Sequence, residues 1–155
     1  VTTTELVRSF VDIVAKNGNL LIGIGPDQYG RFPDEQLAPL RGLGQWLRHN
    51  RDAIYGTRPW QIAEATTTEG GPVRFTQRDG VVNAVLLDLS VAEFGIRGVD
   101  ATDVTDVRMP ALGEPLDWRV IDGMLRVRMP DRLPAAPAYT LMLGAGARPG
   151  RVTAH

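Results

Sequence analysis

The sequence predicts an α/β segment followed by an all-β antiparallel sandwich. Three observations carry that expectation. Apolar residues recur at helical spacing twice, and only within the first fifty positions. A continuous apolar run, Leu20 to Ile24, stands between them. Beyond Trp60 come short alternating segments, punctuated by Gly and Pro and hinged on Asp-Gly pairs.

In residues 4–15, "TELVRSFVDIVA", Leu6, Val7, Phe10, Val11 and Val14 share one helical face, with Thr3 or Thr4 available as a cap. Asn17-Gly18 ends that helix. "LLIGI" (Leu20 to Ile24) has the all-apolar character of a strand covered on both faces by helices. The polar, glycine-containing loop "GPDQYGRF" follows. "PDEQLAPLRGLGQWLRHN" then places Leu37, Leu40, Leu43, Trp46 and Leu47 on one face of a second helix. Pro39 interrupts this pattern, so either Asp34 to Ala38 forms a separate short turn or the helix is kinked. "VRFTQRDGVVNAVLLDL" reads as a hairpin turning at Asp79-Gly80, and "LDWRVIDGMLRVRM" as another turning at Asp122-Gly123. "DVTDVRM" and "AYTLMLG" read as further strands. The change of pattern at Gly56-Thr57-Arg58-Pro59 marks a boundary between residues 1–59 and 60–155. Its shortness implies two packed domains rather than a loose tether.

The 155 residues are 43% hydrophobic and 23% charged, a globular composition. Seventeen Lys+Arg against 18 Asp+Glu leave no basic field, so nucleic acid is not an expected partner. No run approaches the roughly 20 apolar residues of a membrane-spanning helix, so no membrane partner is expected either. The absence of cysteine excludes disulfides, thiolate nucleophiles and Cys-based zinc sites, but leaves the compartment open between cytoplasmic and secreted. The N-terminus does not read as a signal peptide. Lys16 is the only lysine among many arginines, a bias of GC-rich bacterial sequences.

The ordered series in "LVRSFVDIVAKNGNLLIGIGPDQYGRFPDEQLAPLRGLGQWLRHNRDAIYGTRPW" resembles the end of the catalytic domain of α-L-fucosidases of glycoside hydrolase family twenty-nine. Members of that family run from a helix through "SKNGNLLLNIGP" to a helix with "GEWL", then "AIYGT" and a Trp. The likeness covers Leu6 to Trp60. Residues 61–155 are similar in layout to the family's C-terminal β-sandwich. The resemblance implies that "LLIGI" is the last strand of a (β/α)8-like barrel and that the "GPDQYGRF" loop lies at its carboxyl end, where barrel enzymes assemble their sites. It also implies that the chain is the C-terminal third of an enzyme. The remainder of the barrel would then be its partner, and a fucosylated glycan would be bound only by the complete enzyme.

The chemistry implied is retaining hydrolysis of α-L-fucosides. It needs two carboxyl groups about 5–5.5 Å apart, one attacking the anomeric carbon and the other serving as acid and then base. In the family both lie upstream of the segment seen here, so no catalytic residue, cofactor or metal is expected in this chain. Substrate-proximal positions reduce to Gly23, Gly25 and Asp27 at the strand end. Each has a plainer reading. Asp27 suits the turn "PDQYG", and Gly23 and Gly25 suit tight packing or a bend. The family usually has Asn where Gly23 stands, so a side chain able to hydrogen-bond near the site is replaced here.

Asp34 and Glu35 open a helix, where negative charge is favoured on structural grounds. Asp12 reads as solvated or ion-paired, and His49 and His155 form no triad or metal constellation. The glycines of "GIGPDQYG" match neither a P-loop nor a dinucleotide fingerprint. Tyr55, Trp60 and Trp118 could stack on sugars, but packing is their default. The sandwich could instead be a carbohydrate-binding or barrel-buttressing module. A lone strand between helices leaves an edge open to pairing, so the isolated chain is expected to self-associate, homo-oligomerisation included.

Overall fold

The computed structural model describes residues 1–150. Helix α1 spans Thr3–Ala15. Thr2 and Glu5 form a capping box at its start, the Glu5 N–H donating to Thr2 Oγ1 (3.1 Å) and the Thr2 N–H to Glu5 Oε2 (2.7 Å). These bonds hold the Glu5 carboxyl below its ordinary range. Helix α2 spans Asp34–Asn50 without a break at Pro39, so the helix is neither split nor preceded by a separate turn. Proline there leaves the Glu35 carbonyl without its helical donor, a local loss the remaining turns tolerate. The helices approach closely at Gly42, where an added Cβ would collide with the Thr3 side chain.

A short 3-10 turn, Arg51–Ala53, leads into the strands, ten among the described residues. They are β1 (Arg58–Thr66), β2 (Pro72–Arg78), β3 (Val81–Leu86), β4 (Glu93–Gly95), β5 (Val99–Asp100), β6 (Val107–Arg108), β7 (Asp117–Ile121), β8 (Met124–Arg128), β9 (Tyr139–Leu143) and β10 (Arg148–Pro149). All pairings are antiparallel: a five-stranded sheet β1-β2-β3-β9-β6, a three-stranded sheet β4-β8-β7 and the pair β10-β5. Both Asp-Gly hairpins form as expected. Asp79 and Gly80 (φ 51° and 79°) and Asp122 and Gly123 (51° and 81°) all take positive φ, the geometry of a two-residue turn that suits strand twist.

The two larger sheets share one core. Val73 and Phe75 of β2, Val82, Ala84 and Leu86 of β3 and Leu141 and Leu143 of β9 meet Phe94 of β4 and Leu125 and Val127 of β8. The opposite face of the five-stranded sheet is covered by the helices. Val85 of β3 and the following Leu87 pack with Val7 and Val11 of α1, Trp46 of α2, Ala53 and Ala138. Strand β3 is therefore buried on both faces, which explains why "VVNAVL" is apolar almost throughout.

The chain is thus largely antiparallel sheet, with two helices on one side. The segment Leu20–Ile24 does not form a strand, contrary to the expectation from its composition. A strand exists through its ladder, and among the described residues no hydrogen bond engages the backbone of 20–24. Leu21 is 95% exposed. No helix of the described residues is long and apolar enough to cross a membrane.

Candidate functional site

The loop between α1 and α2 carries the residues singled out by the sequence. Leu20 to Pro26 belong to no helix, strand or turn, and Ile22, Ile24, Tyr29 and Phe32 are exposed along with Leu21. An apolar run this exposed is unlike the surface of a self-contained domain.

Asp27 organises the loop beyond it. Its Oδ1 accepts hydrogen bonds from the Tyr29 N–H (2.8 Å) and the Arg31 N–H (2.9 Å), its own N–H donates to the Arg31 carbonyl (2.7 Å), and its carbonyl accepts from Gly30 (3.0 Å). The Arg31 guanidinium lies 3.6 Å from Oδ2 and also over the Tyr29 ring, 5.1 Å from its centroid. These are the contacts of a turn-forming aspartate. Oδ2 is held only loosely, by Arg31.

Gly23 and Gly25 are positioned differently. A Cβ at either would meet nothing within 4 Å, and neither has positive φ. Among the described residues nothing, in conformation or in packing, requires glycine at these two positions. The Gly25 N–H donates to Gln36 Oε1 (2.8 Å), which ties the loop to the first turn of α2. That tether was not foreseen, because no spacing rule links a loop amide to a glutamine eleven residues on.

The aromatic candidates separate by burial. Trp60 is buried, its ring 5.1 Å from Phe75 and tilted by 57°. Trp118 is partly buried against the shared core. Tyr55 is 53% exposed, with the Arg51 guanidinium 6.0 Å from its ring centroid. His49 lies on the exposed side of α2, and His155 lies outside the described residues. Among the described residues, no group of three or more His, Asp or Glu is placed to hold a metal ion.

Sequence reading missed an ionic cluster that joins α1 to the sheet. Asp12 accepts from Lys16 (2.9 Å) and from the Arg74 Nε–H, while Glu64 lies 3.2 Å from Lys16 and 3.3 Å from Arg74. Burial alone would raise the Asp12 carboxyl, but the hydrogen bonds and charges of Lys16 and Arg74 outweigh it and hold it below its ordinary range. The same bonds from Asp12 and Glu64 raise the Lys16 ammonium above its ordinary value. Asp12 was expected to be solvated or ion-paired, but its partner on β2 is 62 residues away and could not be read locally.

Comparison with known proteins bears on the whole chain. A family profile described as alpha-L-fucosidase matches residues 1–52. An alpha-L-fucosidase of Branchiostoma floridae is 34% identical over 145 residues, covering 90% of this chain and 32% of that protein. The human tissue alpha-L-fucosidase is 29% identical over 149 residues, covering 90% of this chain and 31% of that protein. The crystal structure of Thermotoga maritima alpha-fucosidase in complex with fucose aligns with a TM-score of 0.83 at 33% identity, over 92% of this chain and 34% of that one. Animals and bacteria both supply relatives, and the chain spans about a third of their length. By sequence and by fold, the chain belongs to the α-L-fucosidase family.

Proposed function

We propose that this chain is the C-terminal part of a retaining, α-L-fucosidase-like glycoside hydrolase, inactive alone, whose complete form hydrolyses α-L-fucosides. Residues 1–59 contribute the last strand and flanking helices of a (β/α)8-like barrel, and residues 60–155 form the C-terminal β-sandwich. The observation that carries this reading is the state of Leu20–Ile24: mostly apolar, exposed from Leu21 onward and without a ladder, although a helix stands on either side of it in sequence. Such a segment gains its hydrogen bonds and its burial from strands supplied by the rest of the barrel.

The loop that follows then lies at the carboxyl end of that strand, the face on which barrel sites are built. Gly23, Gly25 and Asp27 are its substrate-proximal residues. The open space around both glycines supports this, since it leaves room for another group to approach the backbone. The two carboxyl groups of the retaining reaction come from upstream strands. The direct packing of both helices on the five-stranded sheet supports a buttressing role for the sandwich. A separate carbohydrate-binding role gains no support from Trp118, whose ring packs against the core.

The test pairs this chain with the upstream two-thirds of a relative such as the Branchiostoma floridae protein. Turnover of 4-nitrophenyl α-L-fucoside is expected from the combination and not from the chain alone. The isolated chain is expected to self-associate through the exposed segment in sedimentation. Hydrolysis by the chain alone at the rate of a complete fucosidase refutes the proposal.

A further inference from the structure

A slot of about 750 Å³ opens between α2 and the segment 133–139, lined by none of the loop residues discussed above. Its size falls within the range of small-molecule sites. One wall is a line of hydrogen-bond donors, because Arg41, Gln45 and His49 are spaced four apart along α2. The facing wall is apolar, built from Leu133 and the Pro134–Ala138 run, with Leu112 beside it. Trp46 forms part of the lining and is itself buried.

The apolar wall is preformed although it belongs to no sheet. Tyr139 Oη donates to the Pro134 carbonyl (3.0 Å) and accepts from the Ala136 N–H (3.1 Å). Arg8 Nε–H donates to the Pro137 carbonyl (3.1 Å), and Trp46 Nε1–H to the Ala138 carbonyl (3.0 Å). The indole donor is thus spent on the wall. Rigid walls lower the ordering cost of binding.

Charge selects the occupant. Arg41 and His49 line the slot, and among the described residues no carboxylate does. The ion pair of Arg41 with Asp34 is long (3.7 Å), and the Asp34 side chain is 93% exposed, so a better-placed anion can displace it. The geometry points to a binding site for a small amphipathic molecule with a flat or branched apolar body and one anionic group, the body against Leu133 and Trp46 and the anion on Arg41. The slot lies where the proposed barrel portion, through α2, meets the segment 133–139 of the proposed sandwich.

The probes are 2-naphthoate and its neutral counterpart 2-naphthamide, titrated calorimetrically and by NMR into the 155-residue chain. The indole N–H signal of Trp46, assigned with Trp46→Phe, reports the location. Naphthoate is expected to saturate, to shift that signal, and to bind more tightly than the amide. Arg41→Glu is expected to weaken naphthoate about tenfold, the scale of a charge-assisted hydrogen bond, while leaving the amide unchanged. Ala136→Trp is expected to block both. Equal binding of the two probes in the unmodified chain overturns the inference without any variant, as does the absence of saturation. Persistence of binding in Ala136→Trp, or its loss when the upstream barrel portion is added, overturns it too, the slot then being elsewhere or an interface within the longer protein.

Discussion

Leu21→Asp separates what the chain needs to fold from what it needs to function. Leu21 is 95% exposed, so the isolated chain has almost no burial to lose there. Its stability is expected to stay within about 0.5 kcal/mol, as for other surface changes. Within a completed barrel the same side chain would be covered. Removing it forfeits about 2 kcal/mol of burial, and an uncompensated polar group in its place costs about another 2 kcal/mol at the low end. The sum, about 4 kcal/mol, weakens assembly with the upstream portion on the order of a thousandfold. Urea denaturation of the isolated chain gives the first quantity. Titration of the chain into a fixed amount of upstream portion, read as fucoside turnover, gives the second. A stability loss well above 1 kcal/mol would mean that the segment is already packed, and unchanged assembly would mean that it is not a barrel strand. Either result refutes the reasoning.

Four further outcomes are expected. The Asp12 carboxyl is held below its unfolded value of 3.8, so its contribution is present above that pH and is lost as pH falls below 3.8 through the folded value; the urea midpoint should drop there, and less in Asp12→Asn. Lys16 is raised above 10.5, so its contribution is complete below 10.5 and fades as pH rises beyond it, an effect that 1 M salt should diminish in the same urea assay. Thr2→Ala removes the side-chain half of the capping box and should cost about 1 kcal/mol, measured by thermal melting. Phe75→Ala empties a fully buried position between the sheets and should cost about 3–5 kcal/mol by the same method.

Legibility followed the range of the interaction. The two hairpins were readable because Asp-Gly supplies positive φ at both turn positions, a purely local demand. Helix α1 was readable from its apolar spacing, although its cap proved to be Thr2 rather than Thr3 or Thr4. Strands β4, β5 and β10 escaped notice, since two or three residues show no alternation. "DVTDVRM" shrank to Val107–Arg108, the two residues that reach β9. In β1 the register shifts between Pro59 and Glu64, which blurs the alternation of "RPWQIAEAT". The turn role of Asp27 was visible in "PDQYG", whereas the tether of Gly25 to Gln36 was not. Nor was the slot, whose walls lie 92 residues apart at the Trp46–Ala138 bond.

The double burial of β3 has a mechanical consequence. A strand that lines two compartments transmits damage between them: water admitted on the helical side loosens Val85, and with it the backbone that presents Val82, Ala84 and Leu86 to the other side. Melting is therefore expected as a single event, with amides in β3 exchanging last. Proteolytic nicking between Gly56 and Pro59 would not liberate a durable half, because each piece would carry away part of the other's lining.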